Sequence, residues 1–367
     1  MGNRFAVCLS LLTMAALSGC GDQRILEKVG FTQTTSYDLL PDGRLKIAVA
    51  IPKADPEAEL SRQLLTTTAL SSKEARINLS RQTNLILVSG QMRNTLYGLS
   101  LAKSGLWNHI DTLMRDPSIS PQVKVTVVNG DAESLLKKNY EQHPRTGKYI
   151  DRLLEKEAQE QAVPKVTLYE FARNYFDDGV DPVAPIVKDD GDSVIVDGIA
   201  LFRDDKYAGR IEPGDSIIFA LLERDFKKGE ISIELAGEEG KKEIVMFSSL
   251  ISSRKVEVGH GDAGTRTVNI NVDVKGSILE YIGRLKLSDD ANRHELERKI
   301  SEHLSSRGNQ LVGMMQEKGT DSLGIGMYVR NSMSYAAWKK LNWREEFPDV
   351  QVKCNIHVKI KDYGKFR

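Results

Sequence analysis

Two short apolar runs in the first half of the chain, separated by a segment of helical period, constrain the fold more than any other feature. Residues 85–88 read Leu-Ile-Leu-Val, and residues 123–128 read Val-Lys-Val-Thr-Val-Val. Runs of this kind are typical of strands buried on both faces of a parallel sheet. Between them, residues 94–115 carry large apolar side chains at helical spacing, and Asp116-Pro117 ends the helix. This order predicts a βαβ unit with a parallel strand pair.

The rest of the first half continues the alternation of strands and helices. Residues 45–51 read as a strand, and helices are predicted near 132–136, 149–160 and 168–175. Residues 176–192 hold six aspartates and two prolines. We interpret them as a solvated linker; the alternative, a calcium loop, lacks the ligand spacing of an EF-hand. We therefore predict an N-terminal α/β domain over residues 20–190.

The second half, residues 191–367, reads as an α+β domain, with a further division near residue 225 as an alternative. Residues 193–202 and 207–211 predict a hairpin. Residues 350–360 alternate apolar and polar side chains, which predicts an antiparallel strand with one wet face and Cys354 in the core. A long helix ends near Gly319, and its predicted buried stripe consists of Leu296, Ile300, Leu304, Leu311 and Met315.

The first twenty residues indicate export and lipidation. Arg4 precedes a mostly apolar run over residues 5–17, and Leu17-Ser18-Gly19-Cys20 follows. This is the pattern of a bacterial lipoprotein signal over residues 1–19, and its alternative is an ordinary signal peptide with an incidental cysteine. We expect Cys20 to become the N-terminus, carrying an S-diacylglycerol and an N-palmitoyl group. Two or more acyl chains anchor a protein stably on a membrane, on the extracytoplasmic face in this case.

Cysteine count and charge exclude several classes of protein. Cys8 leaves with the signal and Cys20 becomes a thioether, so Cys354 is the only thiol left and no intramolecular disulfide can form. Burial alone must stabilise the mature chain. The 51 basic and 51 acidic residues balance, which argues against nucleic acid as the main partner.

A search for catalytic motifs finds little. The sequence has neither a phosphate-binding P-loop nor the strand-to-helix serine motif of hydrolases. His260 and Asp262 could form a catalytic pair, but their glycine neighbours favour a hairpin tip. His294 and His303 lie nine residues apart on the predicted helix, which places them on opposite faces. We predict no enzyme activity, no cofactor and no metal site.

The order of several motifs resembles the Ger(x)C family, the C-subunit lipoproteins of spore germinant receptors. Two departures are Gly21, where the family often has Trp, and Ser322-Leu323 between Asp321 and Gly324, where it often has Pro-Phe. The motifs that carry the resemblance are Cys20, residues 106–117, Gly130-Asp131-Ala132, residues 198–202, residues 204–206, Gly209-Arg210, residues 321–326, Trp338, Trp343, Phe347-Pro348 and residues 350–364.

The resemblance implies a non-catalytic subunit on the outer face of the spore inner membrane. It would stand beside two integral-membrane receptor subunits and support germination in response to small nutrients. Residues that could contact those partners, or equally form the closing turn of the domain, are Asp321, Gly324, Gly326, Trp338 and Trp343.

Two other functions stay open on the sequence. A lipid-anchored extracytoplasmic solute-binding protein would use a cleft between two α/β lobes. An extracytoplasmic hydrolase would need His260 near carboxylates in a deep pocket.

Overall fold

The computed structural model describes residues 28–53, 62–225, 227–237, 241–261 and 265–364. Within these ranges the strands form sheets of eight, four and two strands. The strands in chain order are β1 Val29–Phe31, β2 Thr34–Leu39, β3 Leu45–Pro52, β4 Arg62–Ala69, β5 Ile86–Val88, β6 Asn94–Gly98, β7 Lys124–Val128, β8 Val183–Asp189, β9 Val194–Arg203, β10 Lys206–Ile211, β11 Glu230–Ala236, β12 Lys242–His260, β13 Arg266–Ile282 and β14 Gln351–Asp362.

Helices connect and cover these strands. They are α1 Ser72–Ser80, α2 Leu99–Ser104, α3 Trp107–Met114, α4 Ala132–Lys137, α5 Thr146–Gln159, α6 Leu168–Phe176, α7 Ser216–Glu223, α8 Asp290–Lys318, α9 Ile325–Asn331, α10 Tyr335–Lys340 and α11 Trp343–Glu346. The predicted class, an α/β part followed by a mainly antiparallel sheet with a long packed helix, is confirmed.

The eight-stranded sheet has the order β10-β9-β8-β7-β6-β2-β3-β4. Its four central strands, β8, β7, β6 and β2, run parallel, and antiparallel hairpins extend both edges. Helices α4 and α5 cover one face over a core that includes Leu96, Val128 and Ile150. Helices α1, α3 and α6 lie over the second core, which continues into the C-terminal part.

The apolar run at residues 85–88 was wrongly predicted as the buried strand. It forms only the short β5, which pairs with β1 and leaves Ile86 half exposed. The buried strand is β6, where a helix was predicted to begin. Its polar residues Asn94 and Thr95 are fully buried and donate hydrogen bonds to the carbonyls of Gly147 and Lys124. Hydrogen bonds to distant parts of the chain therefore stabilise this segment as a buried strand.

The aspartate-rich segment at residues 176–192 is not a linker. Most of its second half is β8, whose first five residues are buried and which pairs with β7 and β9. The eight-stranded sheet therefore continues past residue 190, because β9 and β10 belong to it. The division of the chain at residues 190/191 stays a prediction.

The C-terminal sheet has the order β11-β12-β13-β14. Strands β11 to β13 pair antiparallel, whereas β14 pairs parallel with β13, so the predicted antiparallel direction of the last strand is wrong. A parallel neighbour needs a crossover, and the helices α8 to α11 supply it. The predicted alternation is correct: Cys354, Ile356 and Val358 are buried.

Helix α8 lies along the outer edge of β14 and hydrogen-bonds its backbone. Four polar side chains spaced four residues apart accept from alternate strand N–H groups. Four helical residues rise about 6 Å and two strand residues about 6.6 Å, so the two spacings match over several steps. The pairs, at 2.8 to 2.9 Å, are Glu297 with Ile360, Ser301 with Val358, Ser305 with Ile356 and Asn309 with Cys354. The helix thereby blocks an edge that could otherwise recruit another strand.

Ser305→Ala should lower the free energy of unfolding by about 1–2 kcal/mol, because it leaves the buried N–H of Ile356 without an acceptor. The matched control is Ser306→Ala, which changes the exposed neighbour on the same helix and should stay within about 0.5 kcal/mol of wild type. Urea unfolding of the three proteins measures the difference. Equal stability of both variants would refute the stabilising role of the edge contacts.

Candidate functional site

The five candidate residues lie together in the segment that follows α8. The helix ends at Gly319, and Asp321 comes two residues later. Asp321, Trp338 and Trp343 are each at most 5% exposed. The structure thus brings the sequence-predicted residues into one buried cluster, which we call the junction.

The Asp321 carboxylate is the centre of the junction. It accepts hydrogen bonds from the backbone N–H groups of Ile325 at 2.8 Å and Gly326 at 2.6 Å, and from the indole N–H of Trp343 at 3.0 Å. Burial raises the pKa of Asp321 to about 7, and the negative charge of Asp181 adds to this, while the three N–H donors oppose it.

A second buried aspartate, Asp181, joins Asp321 to the first half of the chain. The backbone N–H of Asp321 donates to Asp181 Oδ2 at 2.8 Å, and the N–H of Asp181 donates to the Asp321 carbonyl at 2.9 Å. Asp181 Oδ1 also accepts from the N–H of Asp204, in the β9–β10 turn, at 3.2 Å. Burial raises the pKa of Asp181 as well. Asp181 therefore joins three chain segments: its own, the β9–β10 turn and the segment after α8.

The glycines of the segment allow close packing. A Cβ atom on Gly326 would stand 2.4 Å from Trp343 Nε1 and 2.8 Å from the Cα of Gly179, so no larger residue fits there. Gly324 is the N-cap residue that precedes α9, and its φ of +67° is a left-handed conformation that favours glycine.

The tryptophans close the outer side of the junction. The indole N–H of Trp338 donates to Asp178 Oδ2 at 2.9 Å, and the Arg330 guanidinium contacts Asp177 at 2.7 Å and Asp178 at 2.8 Å. The ring of Trp343 lies 5.9 Å from that of Trp338. Both indole N–H groups therefore have partners within the chain.

These contacts favour the closing-turn interpretation of the segment, because its polar groups bind other parts of the same chain. Contact with a partner stays a prediction. Sequence reasoning missed Asp177, Asp178 and Asp181, which it assigned to a solvated linker. The signal that could have found them is chemical. The backbone N–H of Asp321, the indole N–H of Trp338 and the guanidinium of Arg330 are donors that need acceptors. A helical or strand period does not reveal which acceptors these are.

Raising the pH from about 4 to about 8 should destabilise the wild-type protein relative to Asp321→Asn. A carboxyl with a pKa of about 7 in the folded state and 3.8 in the unfolded state contributes stability fully below its unfolded pKa. That stability is lost as the pH rises through about 7. It amounts to at most about 4 kcal/mol, because each unit of difference between the folded and unfolded pKa corresponds to about 1.36 kcal/mol. Urea unfolding across this range measures the difference.

The control for this experiment is Asp192→Asn, an exposed aspartate that should follow the wild-type pH profile. Identical pH profiles for wild type and Asp321→Asn would contradict the raised pKa.

The other candidate groups are scattered. His260 is exposed at the end of β12, and Asp262 lies outside the described residues, as does Cys20. His294 is exposed and contacts Glu297, while burial lowers the pKa of His303. In the part of the chain that the structure describes, no cluster of three or more His, Cys, Asp or Glu side chains could hold a metal. No described helix combines the length and apolar character needed to span a bilayer.

Two family models match consecutive parts of the chain. The model described as spore germination protein N-terminal domain matches residues 22–189, and the model described as spore germination B3/GerAC like, C-terminal, matches residues 197–364. The chain belongs to the Ger(x)C family of spore germination proteins. The family assignment expected from the motifs is thereby confirmed.

Relatives of this Ger(x)C chain match it over nearly its whole length. Spore germination protein GerQC of Bacillus cereus is 24% identical over 356 residues, covering 97% of this chain and 98% of that protein. Putative spore germination protein YfkR of Bacillus subtilis (strain 168) is 20% identical over 379 residues, covering 97% and 96%. The crystal structure of the GerBC protein superimposes with a TM-score of 0.60 at 15% identity, covering 92% of this chain and all of that one. The fold is therefore shared.

Proposed function

We propose that the chain is the lipid-anchored, non-catalytic C subunit of a spore nutrient germinant receptor. Cys20 carries the lipid, and the folded body stands on the outer face of the spore inner membrane beside two integral-membrane subunits. Small nutrients such as amino acids, sugars or nucleosides start germination through that receptor.

The observation that carries this proposal is the similarity along nearly the whole chain to proteins named for spore germination. A whole-length match supports a shared role better than a match to one domain, since roles belong to sites and surfaces rather than to folds. The signal at residues 1–19 adds the anchor, because its small residues end directly at Cys20.

The geometry gives little support to solute binding in a cleft between two similar lobes. The first part of the chain is built on a largely parallel eight-stranded sheet, and the second on four strands that are mostly antiparallel. The cavity beneath α1 is lined by the first part of the chain alone and has a volume of about 60 Å³, enough for a few water molecules only.

The decisive experiment is deletion of the gene followed by complementation, in spores that lack any other Ger(x)C gene. Spores without the gene should lose most of the solute release that a mixture of amino acids, sugars and nucleosides triggers. The wild-type gene should restore it. Cys20→Ala should yield a folded protein that is recovered away from the membrane fraction, because it lacks acyl chains.

The matched control is Cys8→Ala, which removes a thiol from the signal without touching Cys20, and should restore both release and membrane recovery. Undiminished release from the deleted strain would refute the germination role. Full membrane recovery of Cys20→Ala would refute lipid as the sole anchor.

A further inference from the structure

Five cationic side chains surround two adjoining cavities at one end of the eight-stranded sheet. They come from the residue that follows β3, from β4, from α4 and from the start of α5. The larger cavity is an open cleft of about 630 Å³, and the smaller has about 10 Å³, enough for one water-sized group. Among the described residues that line the two cavities, none is acidic. The cations are Lys53, Arg62, Lys137, Arg145 and Lys148.

Arg62 stands in the wall between both cavities and is only 8% exposed. Its Nη2 donates to the carbonyls of Lys137 at 3.1 Å and Lys138 at 2.8 Å. Its Nη1 is buried and has no hydrogen-bond partner among the described residues. Burial lowers the pKa of Arg62. A buried guanidinium without a counter-charge is costly, and a bound anion would offset that cost.

The Thr34 hydroxyl provides a second unused group at the same place. Thr34 is 1% exposed, lines the smaller cavity with Arg62, and its Oγ1 also has no hydrogen-bond partner in the described chain. Buried hydroxyl groups are normally hydrogen-bonded, so the unpartnered Thr34 hydroxyl and the unpartnered Nη1 of Arg62 in the walls of one cavity point to a ligand that both would bind.

The N-terminus of α5 completes the arrangement. Helix α5 has 14 residues, its N-cap is Arg145, and no side chain caps its first turn. The first N–H groups of such a helix need an acceptor, and the helix dipole favours a negative one. By contrast, α4 is capped by Asp131, and the Asp38 carboxylate accepts from two N–H groups of its first turn.

We propose that this cavity binds a phosphate group, with Arg62, Arg145 and Lys148 as its cations and the first turn of α5 as its backbone donor. A phosphate offers several oxygen acceptors and up to two negative charges, which suit a helix N-terminus and a guanidinium together. One oxygen atom fits the smaller cavity, and the remainder occupies the open cleft.

The phosphate can come from a lipid head group or from free phosphate. Gln33 lines the smaller cavity and lies thirteen residues after Cys20. A fully extended chain of that length reaches about 45 Å at most. A lipid on Cys20 would therefore hold the site close to the membrane surface. The head-group source rests on the proposed anchor, whereas phosphate binding itself does not.

The test is calorimetric titration of the full chain, purified in a non-ionic detergent, with inorganic phosphate and separately with dihexanoyl-phosphatidylglycerol, against sodium chloride at equal ionic strength. The decisive variant is Arg145→Gln/Lys148→Gln. It keeps the buried Arg62 with its two hydrogen bonds and removes one long bond, from Arg145 to the Lys53 carbonyl at 3.4 Å. It should bind the phosphate probe about tenfold more weakly than wild type. The matched control is Lys103→Gln/Lys206→Gln, which removes two exposed charges near the opposite sheet edge and should change affinity less than about twofold.

Binding of the lipid probe alone assigns the head group, and binding of inorganic phosphate assigns free phosphate; both support the site. Absence of saturable binding to wild type, or equal affinity of wild type and Arg145→Gln/Lys148→Gln, overturns it. The segment 54–61 carries Asp55, Glu57 and Glu59. If only Asp55→Asn/Glu57→Gln/Glu59→Gln binds phosphate, the occupant is the chain's own carboxylates and the proposal is wrong. None of these outcomes depends on germination.

Discussion

The exchange of hydrogen bonds between Asp181 and Asp321 is the constraint on which the arrangement of the two parts depends. These residues lie 140 positions apart, yet each donates its backbone N–H to the other residue. Their buried carboxylates are tolerated because backbone and indole N–H groups surround them. The β9–β10 turn, the start of β8 and the segment after α8 consequently meet at one point. The apolar core, which continues from the first sheet into the C-terminal part, packs around this point and holds the two sheets together.

The second constraint is the sealed edge of β14. Cys354 is a buried free thiol, so the described sheets are held by packing and hydrogen bonds rather than by a disulfide at that residue. Helix α8 does this with a row of acceptors whose four-residue spacing matches the two-residue spacing of the strand. The same helix buries Leu296, Ile300 and Leu304 against the core. One element therefore both fills the core and prevents the edge from pairing with a neighbouring molecule.

Local pattern predicted much of this fold, and it failed where distant partners decide the structure. The strands at residues 124–128 and 194–203 and the stripe of α8 follow from periodicity, because their environment is uniform along the element. Strand β6 was missed because Asn94 and Thr95 look exposed in sequence but find buried partners in Gly147 and Lys124. The direction of β14 was missed because alternation does not distinguish parallel from antiparallel pairing. The candidate residues around Asp321 lie together in the structure, whereas their neighbour Asp181 could be found only in three dimensions.

The proposed function depends on a lipid that holds this folded body against a membrane, where other receptor subunits are reached. The most direct measurement is mass spectrometry of the N-terminal peptide of the protein isolated from spore membranes. The account predicts a peptide that begins at Cys20 and carries a diacylglycerol thioether and an amide-linked acyl chain. An unmodified N-terminus, or a chain that still retains residues 1–19, would contradict it.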